Sequence, residues 1–495
     1  MSNLFYPQKV ADTKLITRDV SLVFMWAGLL FLIPMFVSIL YGEANWPIYL
    51  ALIALTSGPA YLLSKIARHD TKKPFTDMTL ITLAAAWLIL SLVGAYPFFF
   101  MTDMGVLDSY FESVSSISTA GITNIALPES FPPSILLWRT VLAWIGGIGI
   151  TAFAFYTLMQ SESIRRIVAG EGFERLRPSI VNSAKIIFKI YCFWTVAGII
   201  ALLLLGVPAF DSLNLSMNAV STTGADVRNG GWLYYQDSLS GNFPIFAGVM
   251  LVLMFAGATS FVAHYRVFKG KNPIEYFRDQ ETKWFIGILA GGALAFFLFL
   301  TIFPGNLGTP NQDPIVMSYE AMSTSTTGGF EIFPYVTGLP ETASFLMFGL
   351  FILALIGGST NSAAGGLKVK RIILLLHYVS WKLKQQIAPK GAISHFKLSK
   401  KPVSIDEVTN AATFIFIYCF AIFLVLFLVL AAQPEMNVQD GILMVASAQS
   451  GGGVTPIPAY DLAWQSKFFL LFTMMFGRLE FIPLLAMGAF LVHKR

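Results

Sequence analysis

Ten apolar runs constrain this chain more than any other feature. They lie near 21–41, 46–66, 79–100, 135–159, 185–206, 243–267, 284–303, 343–376, 407–431 and 466–492. Each approaches or exceeds the roughly 20 residues that a helix needs to cross the hydrocarbon core of a bilayer. Inside that core no water pairs a backbone N–H or C=O, so a spanning segment must satisfy its own amides. Helices do this, and the short alternating segments of a membrane β-barrel are not seen. Charged residues make up 12% of the chain and apolar ones 55%, whereas a soluble domain carries about 25% charged residues. The sequence therefore predicts an all-α polytopic membrane protein. Its start, MSNLFYPQKVADTKLITRDV, has no signal-peptide pattern, so the first run is expected to stay as a membrane helix.

The charges are segregated. Segments 64–76, 160–187, 266–283 and 368–401 are rich in Lys and Arg, and the last contains no acid. Segments 102–133, 304–342 and 432–466 hold no Lys or Arg, and 207–242 holds only Arg228. The positive-inside rule puts the basic segments in the cytoplasm, with both termini there. The opposite segments carry many acids, among them Asp103, Asp108, Glu112, Glu129, Asp211, Asp226, Asp313, Glu320, Glu331, Glu341 and Asp440. Acids contribute little to topology, so their bias suggests an outer vestibule that concentrates cations.

Those outer segments contain LDSYFESVSSIST (107–119), FDSLNLSMNAVST (210–222), IVMSYEAMSTST (315–326) and DGILMVASAQS (440–450), each too short to span. Each ends in hydroxyl residues and glycine and then meets another apolar run. With Gly121, Gly224, Gly329 and Gly451 as markers, the steps are 103, 105 and 122 residues. This is a fourfold internal repeat of helix, half-length helix, glycine loop and helix. The implied units are a two-helix region at 1–76, then repeats at 77–160, 161–268, 269–380 and 381–495.

Non-helical backbone at membrane depth is tolerated where it is buried or lines a wet cavity. Four such loops in one chain suggest pseudo-fourfold packing around one axis. Rings of backbone carbonyls replace the water shell of a dehydrated K⁺, and glycine reaches φ > 0 without steric cost. A half-helix whose C-terminal, partly negative end points at the axis also favours a cation. Anion pores use Lys or Arg rings or helix N-termini instead.

The stretches FESVSSISTAGITN (111–124), LWRTVLAWIGGIGI (137–150), NAVSTTGA (218–225), FKGKNPIEYFRDQETKW (268–284), STTGGF (325–330), GGSTNSAAGGLKVKR (357–371), KLSKKPVS (397–404) and FGRLEF (476–481) resemble, in order and spacing, the Trk/Ktr/HKT superfamily of potassium transporters. The bacterial Trk-type membrane subunits are most similar. The resemblance implies two N-terminal helices and four M1–P–M2 units (outer helix, pore helix, inner helix) around one pore. By position it implies filter residues Thr119, Ala120 and Gly121; Thr222, Thr223 and Gly224; Thr327, Gly328 and Gly329; and Ser450, Gly451 and Gly452, with K⁺ at Gly121, Gly224, Gly329 and Gly451. The local STTG match leaves Gly328 open against Gly329, and SAQSGGGV leaves Gly451, Gly452 and Gly453 open. In plant relatives a serine at the first filter position accompanies sodium transport, so Gly121 resembles the potassium-selective type. K⁺ is then the transported ion. The resemblance also implies a homodimer, membrane lipid and a cytosolic TrkA-like nucleotide-binding subunit that takes ATP or NADH, with no nucleotide on this chain and no nucleic acid. The implied location is the bacterial inner membrane.

The run 343–376 exceeds one span by half again, and its middle, LIGGSTNSAAGGLKVKR, disfavours a helix. Residues Gly357, Gly358, Ser359, Thr360, Asn361, Ser362, Ala363, Ala364, Gly365 and Gly366 are expected to form a loop below the filter, which the resemblance implies to be a gate. Arg478 lies inside an apolar run, where an Arg needs a cavity or a partner. It is expected to face the pore and meet carbonyls around 359–365, while Arg139 and Lys467 are expected to snorkel. GIGITA (147–152) matches a dinucleotide fingerprint but lies within an apolar run, with no preceding strand. No catalytic or zinc constellation appears, and Cys192 and Cys419 sit in apolar runs. A secondary cation symporter coupled to Na⁺ or H⁺ is the main rival, but few intramembrane acids are present for it.

Overall fold

The computed structural model describes residues 13–66, 76–158, 180–303, 314–330, 344–387, 396–398, 401–481, 483–485 and 487–488. The basic stretch at 159–179, the acids Asp313, Glu331 and Glu341, and both chain ends lie outside these residues. Among the described residues the regular structure is helical, apart from a two-residue antiparallel ladder pairing Lys397–Leu398 with Lys401–Pro402.

Helices α1 (Thr13–Leu29) and α2 (Leu32–Leu40) form one kinked span, and α3 (Trp46–Ile66) returns beside it. The first repeat comprises α4 (Thr76–Met101), the half-helix α5 (Val106–Ile117) and α6 (Pro133–Leu158). The second comprises α7 (Ile180–Leu204), the half-helix α8 (Ala209–Ser221), a short outer helix α9 (Trp232–Leu239), then α10 (Phe243–Ala258) and α11 (Phe261–Gly270). A four-residue helix, α12 (Glu275–Arg278), leads into the third repeat: α13 (Gln280–Ile302), the half-helix α14 (Pro314–Ser325), α15 (Ser344–Ile356) and α16 (Val369–Ile387). The fourth comprises α17 (Ile405–Ala432), the half-helix α18 (Val438–Ser450) and α19 (Trp464–Leu479).

Each inner helix packs on the half-helix of its own repeat and on that of the next. The cross-repeat pairs are α6 with α8, α10 with α14, α15 with α18, and α19 back onto α5. The ring of four thus closes.

Helix α17 shows how the outer surface is made. Phe416, Phe420, Phe423 and Phe427 are exposed at helical spacing, while Tyr418, Ile422, Leu426 and Val429 are buried on the opposite stripe. In water such a stripe would be an aggregation site. In hydrocarbon it loses nothing, and close packing decides which face turns inward.

Three of the apolar runs are broken, one of them, 343–376, where a loop was expected. The run 243–267 bends by 105° between α10 and α11. The run 343–376 stops at Ile356 and resumes at Val369. The run 466–492 leaves the helix at Glu480 and Phe481, whose φ values are 56° and 60°. Apolarity carried the sequence reading straight across the first and third breaks, because a break leaves composition unchanged.

Candidate functional site

The four half-helices end alike. The amides of Ala120, Thr223, Gly328 and Gly452 each donate to a carbonyl five residues back, at Ser115, Asn218, Ser323 and Ser447, over 2.9–3.0 Å. This is the Schellman closure, which needs a left-handed residue just before the donor. That residue is Thr119, Thr222, Thr327 or Gly451, with φ of 58°, 57°, 51° and 73°. Two residues later φ is positive again, at Gly121 (72°), Gly224 (74°), Gly329 (65°) and Gly453 (70°).

Backbone geometry thus sets the register. Gly329, not Gly328, is equivalent to Gly121 and Gly224. In the fourth repeat the equivalent is Gly453, and Gly451 takes the place of the threonines. Ser450 is still helical. The expected marker Gly451 is therefore two residues early, because the position is counted from the left-handed residue that closes the half-helix and not from the first glycine after it.

The four glycines meet around a ring. A Cβ on Gly121 would strike the Thr223 carbonyl oxygen, and one on Gly224 would strike Gly329. A Cβ on Gly329 would lie 2.7 Å from the Gly453 Cα, and one on Gly451 would lie 3.2 Å from the Thr119 carbonyl oxygen. Every repeat touches the next through bare backbone. Only glycine combines that approach with positive φ.

The segment 357–368 lies directly beneath this ring. Its neck is tied by Leu367 N–H to Leu355 O at 2.9 Å and Lys368 N–H to Ile356 O at 3.0 Å, and a Cβ on Gly366 would sit 2.6 Å from the Gly357 Cα. Gly365 packs against the carbonyl of Ser450, and its amide donates to Thr327 Oγ1 at 3.0 Å. Ser359, Thr360, Asn361, Ser362, Ala363 and Ala364 are all buried, and Lys368 Nζ donates to Ala364 O.

Arg478 is buried and donates to Ala363 O at 2.7 Å, to Gly146 O at 2.7 Å and to Gly147 O at 3.1 Å. It bridges the segment beneath the ring to the inner helix of the first repeat. Glu480, two residues on, pairs with Arg371 at 2.9 Å.

Arg139 and Lys467 do not snorkel. Arg139 is 2% exposed, lies 4.0 Å from Glu112 and donates to Asp226 O. Lys467 is also buried and pairs with Asp108 at 2.6 Å. Glu112 accepts from Thr123 Oγ1 at 2.8 Å and from Asn124 N–H at 2.7 Å, fixing the chain as it leaves the first turn. Arg228 joins Asp211 at 2.7 Å and Glu129 at 3.3 Å. Several of the outer acids therefore brace the first two half-helices against inner helices and outer loops.

Sequence reasoning missed Gly146, Gly257 and Gly477. Each lies on an inner helix where a Cβ would strike the carbonyl of Ile117, Val220 or Gln449, four residues before the ring glycine of its repeat. The signal was a glycine preceded by two apolar residues in WIG, FAG and MFG. The varying length of the outer segments hid the periodicity.

Among the described residues no group of His, Cys, Asp and Glu side chains is placed to hold a metal, and both cysteines are free. A helical membrane bundle with four re-entrant half-helices closing one backbone ring defines a pore-loop transport protein. The chain belongs to the TrkH family of cation transport proteins, whose family model matches residues 48–493. It is a transporter, not an enzyme. An uncharacterized cation transporter of Methanocaldococcus jannaschii is 29% identical over 475 residues, covering 94% of this chain and 93% of that protein. The Trk system potassium uptake protein TrkH of Escherichia coli is 27% identical over 491 residues, covering 95% and 97%. The crystal structure of the potassium transporter TrkH from Vibrio parahaemolyticus has the same fold, with a TM-score of 0.82 at 24% identity over 96% of this chain and 98% of that one.

Proposed function

We propose that this chain carries K⁺ across the bacterial inner membrane through a filter formed by the turns Thr119–Gly121, Thr222–Gly224, Thr327–Gly329 and Gly451–Gly453. The observation that carries this reading is the ring of backbone contacts among equivalent glycines. A ring of carbonyl dipoles suits a dehydrated monovalent cation, and the half-helix C-termini add partial negative charge. Potassium is the cation named for the TrkH relatives of Escherichia coli and Vibrio parahaemolyticus.

The segment 357–368 is the gate, and Arg478 holds it shut through the Ala363 carbonyl. The protein works as a homodimer with a cytosolic TrkA-like regulatory subunit that binds ATP or NADH. Its basic segments and both termini face the cytoplasm.

The test is ⁸⁶Rb⁺ flux into liposomes with competing Na⁺, comparing wild type with Gly121→Ser and Gly329→Ser. Wild type is expected to admit Rb⁺ and resist Na⁺, and both variants are expected to lose that preference. Absence of flux with and without the regulatory subunit would sink the proposal.

A further inference from the structure

The bend between α10 and α11 leaves backbone groups that a straight helix would have paired. The carbonyls of Ala256, Gly257 and Ala258 lose their donors four residues on, and the Phe261 amide loses its acceptor. Three of these four are taken up by the segment beneath the ring. Ala363 N–H donates to Gly257 O, Ser359 N–H donates to Ala258 O, and Phe261 N–H donates to Asn361 O, each at 2.9 Å. The fourth, Ala256 O, lies 2.8 Å from His264 Nε2, whose other ring nitrogen lies 2.6 Å from the Tyr276 hydroxyl. The second repeat thus offers a socket of matching backbone groups to a loop of the third.

Backbone bonds of this kind seat the loop but give no handle for releasing it. A side chain supplies that handle. Glu281, in the first turn of α13, accepts from Thr360 N–H at 2.6 Å and from Thr360 Oγ1 at 2.7 Å. Both carboxylate oxygens are used on one residue, at the outer bend of the loop, between the two socket bonds at Ser359 and Asn361. Two charge-assisted bonds on a single residue are among the stronger non-covalent ties available. Glu281 also sits two residues past Asp279, which caps α13 through Thr282 N–H at 2.9 Å and faces Arg266 of α11 at 3.4 Å. A movement of the α11–α13 elbow therefore displaces the tie and the socket together.

We infer that Glu281 is a positioning residue that latches the loop 357–368 in its α10–α11 socket, so that the elbow at 271–280 is where the gate is released. This rests on the reading of that loop as a gate.

The experiment is ⁸⁶Rb⁺ leak from proteoliposomes without regulatory subunit, per inserted molecule. Glu281→Ala is expected to raise the leak about tenfold, which corresponds to ~1.4 kcal/mol at 25 °C. Glu281→Gln keeps one acceptor and should fall between the two, and Thr360→Val should raise the leak less than Glu281→Ala. Combining Glu281→Ala with Thr360→Val should add nothing. A merely structural Glu281 would lower the yield of folded protein and leave leak per molecule unchanged. If Arg478→Ala leaks and Glu281→Ala does not, the latch is wrong and the gate reading stands. If neither leaks, the gate reading falls and takes the latch with it. Should Glu281→Ala fail to insert, Thr360→Val carries the test, and an unchanged leak there overturns the latch.

Discussion

Thr119, Thr222 and Thr327 occupy the left-handed region, where a β-branched residue is an outlier. Strain of this kind amounts to about 1–3 kcal/mol per residue and persists where the surroundings over-determine it. Here the closing hydrogen bond of each half-helix does so. The fourth repeat has Gly451 at that position and avoids the strain. This explains why its turn reads as three glycines, and why the sequence left open which of them is equivalent to Gly121. The Gly328 ambiguity has a related origin: STTG at 325–328 matches STTG at 221–224 letter for letter, yet the left-handed threonine is the second letter, Thr222, in one and the third, Thr327, in the other. Gly453→Ala should impair Rb⁺ flux and its preference over Na⁺ as strongly as Gly121→Ser or Gly329→Ser, because it combines positive φ with a collision at Gly329. Gly452→Ala should keep most of the flux, since its nearest neighbours are side-chain atoms 3.2 Å away and its φ is not positive. Equal loss in the two variants would refute the register.

Among the elements, the half-helices were legible because hydroxyl and glycine residues end them at regular intervals. The loop 357–368 was legible because so many small residues follow one another. The bend at Thr259–Ser260 was not, since MLVLMFAGATSFVAHY reads as one apolar run. That bend exists because its free carbonyls find donors on another repeat, a cause no local window contains. Arg478 is the element-scale counterpart. Its three carbonyl acceptors come from the third and first repeats. Arg478→Ala should increase K⁺ leak at least several-fold in liposomes, and Arg478→Lys should restore only part of the closure, because one ammonium does not span all three acceptors as a guanidinium fork does. Unchanged or lower uptake in properly inserted Arg478→Ala would count against the gate.

For the whole molecule, closure of the ring depends on ties between repeats. Arg139 of α6 is one, facing Glu112 of the first half-helix and the Asp226 carbonyl of the second repeat. Removing one partner of a buried pair typically costs about 3–5 kcal/mol, because a charge is left unpaired. Arg139→Met should lower the melting temperature in detergent markedly, and adding Glu112→Gln should recover part of the loss. Recovery to less than the single variant would show that the pair is not the source. The sequence by itself determined the membrane setting, the four repeats and the hydroxyl- and glycine-rich ends of their half-helices, because these follow from run length, spacing and residue type. The register of the fourth turn, the breaks in the inner helices and the partners of Arg139, Glu281 and Arg478 were decided by tertiary structure alone. Each depends on a backbone group or charge brought close from a distant repeat, and distance along the chain carries no trace of that approach.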